Sequence, residues 1–242
     1  MGAVMQVSDE PAQGEKPRAG FALPLDILIA PQRAFRTIAA TREWLPAALV
    51  IVVLAAIGTA LIAPAVAHVA KAQLIANQHG HPSDKELAGA ARTDIVLTFL
   101  SGTVLQVFPL TLTAMVLSTA GRLKGQTTPF LTYFALNVNC AVPAALGAVL
   151  QSLFIRAHDP ASYVNNAQLA LAVPLSLAAF VPHGSQREVL FMAQFDVFFL
   201  WTALLIAYGY MAISGAKLLS ALFLSFGIGF ALCVYYLAVT PG

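Results

Sequence analysis

Five apolar stretches, each about as long as a bilayer is thick, constrain this chain more than any other feature. A hydrocarbon core of about 30 Å takes ~20 helical residues at 1.5 Å per residue. Runs of that length occupy residues 45–66, 95–119, 130–155, 189–214 and 218–237. Their ends carry interface residues: Trp44 precedes the first, Arg92 and Asp94 the second, Arg122 and Lys124 follow it, Arg156 closes the third, and Lys217 marks the turn between the last two. Of the 242 residues 59% are hydrophobic and 10% charged, against roughly 25% charged in a soluble domain. The expected fold is all-α, a polytopic membrane bundle of five transmembrane helices.

A sixth apolar run, residues 169–181, gives a helix of only ~20 Å and contains Pro174, so it reads as re-entrant or interfacial. With five spans, one side of the membrane collects eight Lys and Arg residues and the other five. The positive-inside rule then puts the N-terminus in the cytoplasm and the C-terminus outside, in a cell (inner) membrane. Residues 67–94 and 156–188 become long outer loops carrying all five histidines.

Residues 1–23 read as a disordered cytoplasmic tail without an apolar h-region, and Gln6 stands where a myristoylation signal wants Ser or Thr. Residues 24–242 read as one membrane domain. Just before the first span, Ala34, Phe35, Ile38 and Ala39 recur at helical spacing after Pro31, while Arg33, Arg36, Thr37 and Thr41 take the opposite face. This pattern predicts an N-terminal amphipathic interfacial helix with Phe35 and Ile38 inserted in lipid. Arg33, Arg36 and Arg42 then lie near anionic headgroups.

The most informative polar residue is Asp196, because a carboxylate at mid-bilayer costs several kcal/mol and implies function. Depth decides its meaning. If its helix starts at Val189 it lies ~10 Å deep and needs protonation or a partner among Asn137, Asn139, Gln106 and Gln194. If the helix starts at Phe195, Asp196 sits at the interface, favoured by the helix dipole. Asn137 and Asn139 stand ahead of Pro143, whose ring frees a carbonyl near Asn139, an arrangement that serves interhelical bonding or a polar pocket at a broken helix.

Other signals are weaker. His79 and His81 with Asp84 and Glu86 read as an exposed loop rather than a metal site. Ser214 to Lys217 matches S-x-x-K without its S-D-N and K-T-G companions, and no hydrolase, zinc-protease or NTPase signature occurs. No enzymatic activity, cofactor or metal is expected, and the even charge leaves no basic face for nucleic acid. Cys140 and Cys233 lie in apolar runs as small hydrophobes. Small residues at four-residue spacing (Ala55, Thr59 and Ala63; Ala141 and Ala145; Ala144 and Ala148; Ala221, Ser225 and Gly229) favour close helix packing, within the chain or against a partner.

Pro31, Phe35 and Ile38 before the first span, Trp44 and Pro46 at its start, Gly125 and Phe130 opening the third, Pro143 within it, and Asp196, Phe198, Trp201, Leu205 and Gly209 in the fourth follow one order. In that order and spacing, over roughly residues 25–237, the chain resembles the Yip domain family, five-pass proteins named for interaction with Ypt and Rab GTPases. The compact, alanine-rich sequence resembles a bacterial-type member. The resemblance implies a cytoplasmic N-terminus, five spans and no enzymatic activity. Together these readings favour a non-enzymatic membrane protein that organises or binds a membrane protein partner, or forms a homo-oligomer, through its helix faces. The alternative is a channel or transporter for a small solute, ion or lipid, built on Asp196 and Asn137.

Overall fold

The computed structural model describes residues 20–77 and 81–239. The first helices, α1 (Ala22–Ile29) and α2 (Pro31–Thr41), form a tight hairpin. Pro31 occupies the first turn of α2, where its missing N–H costs nothing. The buried Asp26 carboxylate of α1 takes both the Nε and an Nη of Arg33, at 3.2 and 2.5 Å. Arg33 is thereby turned onto α1 rather than held out toward headgroups.

The apolar stripe of α2 exists, but protein covers it. Ala34, Phe35 and Ile38 are almost wholly buried in a core shared with the first, third and fourth spans. Thr37, expected on the polar face, is buried with its hydroxyl donating to the Arg33 carbonyl, and Ala39 is exposed. Insertion of Phe35 and Ile38 into lipid is therefore corrected. A stripe this narrow fits a neighbouring helix as well as a bilayer, and periodicity does not separate the two. The uncovered apolar ridge belongs instead to α1, where Phe21, Leu25 and Ile29 point outward at 64%, 63% and 78% exposure. The expected tail falls, for residues 1–19, outside the described residues. From Gly20 the chain is tied down, its N–H reaching the Glu43 carboxylate at 2.6 Å, and Leu23 is fully buried.

Among the described residues, five helical segments are long and apolar enough to cross a membrane. The first is α3 (Leu45–Asn77), eleven residues longer than the expected span. The second is bent: α4 (Asp84–Gly102) and α5 (Val107–Leu123) are separated by a turn at residues 103–106. Ser83 and Glu86 cap α4 reciprocally. Most of the expected outer loop 67–94 is thus helix, because the helices continue past the apolar window into polar sequence.

The third span is α6 (Phe130–Cys140) and α7 (Val142–Arg156), interrupted at Ala141 just before Pro143. Beyond it the chain builds a cap from α8 (Asn166–Leu171), a short 3-10 turn at Leu177–Phe180 and α9 (Gln186–Ala193). Tyr163, Leu169 and Val173 pack on Ala65, Val69 and Ile155, and the His68 Nδ1 lies 2.9 Å from the Tyr163 carbonyl. The short apolar run of residues 169–181 therefore folds back without crossing, as its length requires.

The fourth span, α10, covers Val197–Ser214 rather than starting at Val189. Residues 189–193 belong to α9, whose apolar side chains merge with α10 in any hydropathy window although the chain turns between them. Gly215, in left-handed conformation, ends α10, and α11 (Leu218–Val239) returns alongside it.

Two glycines set the helix spacing. A Cβ on Gly147 of α7 would run into the Phe198 ring, and one on Gly209 of α10 would strike Leu136 and meet the Phe35 ring at 3.0 Å. Gly147→Ala and Gly209→Ala are each expected to destabilise the bundle by about 1–3 kcal/mol through overpacking. Gly227→Ala, with nothing within 4 Å, serves as the control in thermal denaturation of the detergent-solubilised protein. Equal melting of all three variants would contradict the packing described.

Candidate functional site

Between the spans lies a cleft of about 480 Å³, walled by α3, α4, the 103–106 turn, α5, α6, α7, α10 and α11. Its shape follows from the bend in the second span. α4 packs along α3 and makes no comparable contact with α10 or α11, whereas α5 crosses to α6 and reaches α11. There the Phe108 ring lies 6.1 Å from that of Tyr235, tilted by 38°. Thr98 and Gly102 of α4 and Cys233 and Tyr236 of α11 are among the residues that line the cleft.

Much of the wall is made of the small residues expected to pack helices. Ala144 and Ala148, four apart on α7, face the cleft and are exposed; Ala55, Thr59, Ala141, Ala145, Ser225 and Gly229 line it too. Small side chains here leave space rather than closing it. The lining contains no Asp, Glu, Lys, Arg or His.

The polar residues singled out in the sequence separate into two groups. Asn137, Gln106 and Gln194 line the cleft. Asn137 is 1% exposed, its amide nitrogen reaches the Leu110 carbonyl only at 3.4 Å, and its Oδ1 has no hydrogen-bond partner. Asn139 serves the fold instead: its Nδ2 donates to the Glu43 carbonyl at 2.9 Å and the Ala135 carbonyl at 2.8 Å, pinning the α2–α3 connection to α6.

Asp196 is the N-cap of α10, so the helix starts beside it and not at Val189. Its Oδ1 accepts the Phe199 N–H at 2.6 Å, and its Oδ2 accepts the Gln151 Nε2 at 2.5 Å. The 3-10 turn is tied beside it through the Leu177 N–H to the Phe195 carbonyl, 3.0 Å. Gln151, Asp196's partner, lies ~21 Å from Asn137 along the third span. Asp196 is not among the residues that line the cleft, although its partner Gln151 is.

Two residues escaped the sequence reading. Gln151 was detectable as an amide five residues before Arg156, in the last turns of the third span. Thr202 lines the cleft and its Oγ1, like Asn137 Oδ1, is buried with no partner; nothing in the sequence distinguishes it from other threonines of the spans. Arg36 and Arg42 are exposed at the α2 end of the molecule. His79 lies outside the described residues, and Glu86 is committed to capping α4. No cluster of three His, Cys, Asp or Glu side chains occurs among the described residues.

An N-cap and a proton or cation site respond differently to substitution. Asp196→Asn retains a capping oxygen and is expected to melt within a few tenths of a kcal/mol of the parent, while Asp196→Ala loses about 1 kcal/mol. Denaturation in mixed micelles measures both, and equal loss in the two variants would show that charge, not capping, is what the position needs.

The family residues mostly sit where helices meet. Phe35 packs against Gly209, Phe198 covers Gly147, Leu205 is buried, Phe130 opens α6, and Gly125 takes a left-handed turn after α5. Trp201 is the exception, 37% exposed on the outer face of α10. No curated protein sequence and no solved structure matches this chain. The family model of the Yip1 domain does match it, over residues 25–240. With that span covering nearly the whole membrane bundle, this multi-pass membrane protein belongs to the Yip1 domain family.

Proposed function

We propose that the protein is a non-enzymatic binding protein of the membrane interior, which holds another membrane component in the cleft between α4 and α11. One observation carries this reading: a cleft of about 480 Å³ without a single charged side chain in its lining, within a bundle whose spans otherwise meet by close packing. Apolar pockets of this size with a few convergent polar groups are the usual form of a ligand site. In a bilayer the side of the bundle is as accessible as its ends.

The eight-to-five distribution of Lys and Arg supports a cytoplasmic N-terminus in a cell membrane. The exposed α1 ridge, with Arg36 and Arg42 on the neighbouring segment, supports contact with that leaflet's anionic lipids. A solute or ion pathway through Asp196 gains no support, since that carboxylate is engaged by Phe199 and Gln151 at the start of α10.

Purification in a mild detergent, followed by mass spectrometry of everything retained, tests the proposal. A stoichiometric membrane component, lipid or polypeptide, is expected to remain bound and to be lost from Ala148→Phe, which projects a ring into the cleft. A monomer carrying nothing would overturn it.

A further inference from the structure

Charge is divided unequally between the two ends of the bundle. One end gathers the α1–α2 hairpin, the loop from α5 to α6 and the turn from α10 to α11, with Arg36, Arg42, Arg122, Lys124 and Lys217 all exposed. The acidic residues described at this end are already engaged, Asp26 by Arg33 and Glu43 by the Gly20 N–H. No Asp or Glu occurs at residues 95–158 or 197–242, so α5, α6, α10 and α11 bring none. At the other end both signs mix: α3 and α4 carry Lys71, Lys85 and Arg92 together with Asp84, Glu86 and Asp94.

Three of the exposed cations are gathered around one side chain. Gln126 donates through Nε2 to the Ser214 carbonyl and accepts the Tyr133 hydroxyl at 3.2 Å, which ties the α5–α6 loop to the end of α10. A Cβ on Gly121 would lie 3.0 Å from Gln126 Oε1, so Arg122 follows directly on a residue beside the same amide. Lys124 stands two residues before Gln126, and Lys217 three after Ser214. At ~3.8 Å per residue, chain length alone keeps each of these Cα atoms within about 11 Å of the residue joined to that amide. Leu117, Ala216 and Ala221 share one packed core with Tyr133, which makes loop and turn a single surface. None of the three cationic side chains has a hydrogen-bond or ion-pair partner among the described residues.

Position and neighbours select what such a surface holds. Four spans end at it, α5 at Leu123, α6 at Phe130, α10 at Ser214 and α11 at Leu218, so it lies where a bilayer places its phosphates. Leu123 stands between two of the cations and Leu218 and Leu219 follow the third, all exposed. A free anion leaves those leucines unused, whereas a phospholipid brings hydrocarbon and a charged headgroup together. A zwitterionic headgroup also brings an ammonium, for which no carboxylate is at hand.

We propose that Arg122, Lys124 and Lys217 form a binding site for an anionic phospholipid, its phosphate among the three cations and its chains beside Leu123 and Leu219. The site is separate from the cleft and does not depend on what the cleft holds.

The full chain in a neutral detergent is titrated with phosphatidylglycerol and, separately, with phosphatidylcholine of the same acyl chains, and bound lipid is counted by native mass spectrometry. The first phosphatidylglycerol is expected to bind about tenfold or more tightly than phosphatidylcholine. Arg122→Gln, Lys124→Gln and Lys217→Gln should each weaken it about fivefold, since one cation near an anionic headgroup is worth about 1 kcal/mol. The three combined should bring it to the phosphatidylcholine level. Lys71→Gln, Lys85→Gln and Arg92→Gln combined remove the same charge from the other end, and are expected to change binding by less than about twofold because distant charges are screened. Ala148→Phe, in the cleft, should leave it unchanged.

Equal affinity for the two lipids, equal loss in the charge-matched variant, or undiminished phosphatidylglycerol binding in the triple variant overturns the site. Displacement of the lipid by inorganic phosphate or an acidic peptide at equal concentration also overturns it, as that marks a surface for anions at large. Loss in Ala148→Phe with none in the triple variant places the lipid in the cleft, which rejects this site and supports the binding function proposed above.

Discussion

In the interior of a bilayer every backbone N–H and C=O has to find its partner within the protein, and the rest of this structure is arranged around the two places where a helix is broken under that constraint. At residues 103–106 the chain leaves the α-helical ladder yet keeps its groups bonded. The Thr103 and Leu105 N–H groups both reach the Leu100 carbonyl, the Thr103 hydroxyl bonds the Phe99 carbonyl at 2.7 Å, and Val107 bonds back to Val104. This turn redirects the second span, so that α4 follows α3 while α5 joins α6 and α11. At Ala141 the third span makes a milder interruption, with the Ala141 N–H shared between the Asn137 and Val138 carbonyls. Both breaks border the cleft, whose lining includes Gly102, Gln106 and Ala141.

Much of the architecture was legible because bilayer thickness acts on sequence directly. Apolar runs mark helices, and the five spans, the non-crossing segment at 169–181 and the hairpin of α10 and α11 all follow from length and flanking charge. The ends of spans were less legible. Composition marks where lipid stops, whereas hydrogen bonding and caps mark where a helix stops. α3 therefore continues eleven residues past its apolar window, and α10 begins at Val197 although apolar sequence runs on from Val189. Periodicity found α2 but not its partner. The same four residues would suit lipid or protein, and the half-buried Asp26–Arg33 pair that ties α1 to α2 is visible only once α1 is known to exist.

The candidate site was legible one residue at a time and not as a site. Asn137, Gln106 and Gln194 stand out as amides in apolar sequence, but which of them share a space depends on the angles between helices. Asp196 drew attention by charge and proved to be half of an N-cap arrangement completed by Gln151, forty-five positions away. The small residues were misleading in a more instructive way. Spacing of four permits close approach of a neighbouring helix, and at Gly147 and Gly209 that approach occurs. At Ala144 and Ala148 the same spacing instead faces open space. Sequence registers that bulk is absent, not what occupies the room left behind.

That difference has an energetic side. A void in a water-soluble core forfeits dispersion contacts and costs stability in proportion to its volume. A cleft open to the bilayer does not remain empty, because lipid chains are as apolar as leucine and fill it at little cost. Selection against an opening of this kind is therefore weak as far as its apolar walls are concerned. The oxygens of Asn137 and Thr202 are different, since each is buried with no hydrogen-bond partner and an unpaired polar group is costly in a low-dielectric interior. Replacing either by a leucine or valine of similar shape would relieve that penalty in an isolated bundle. Their presence is unfavourable for stability alone, as is that of the Asn139 Oδ1, which is likewise buried without a partner.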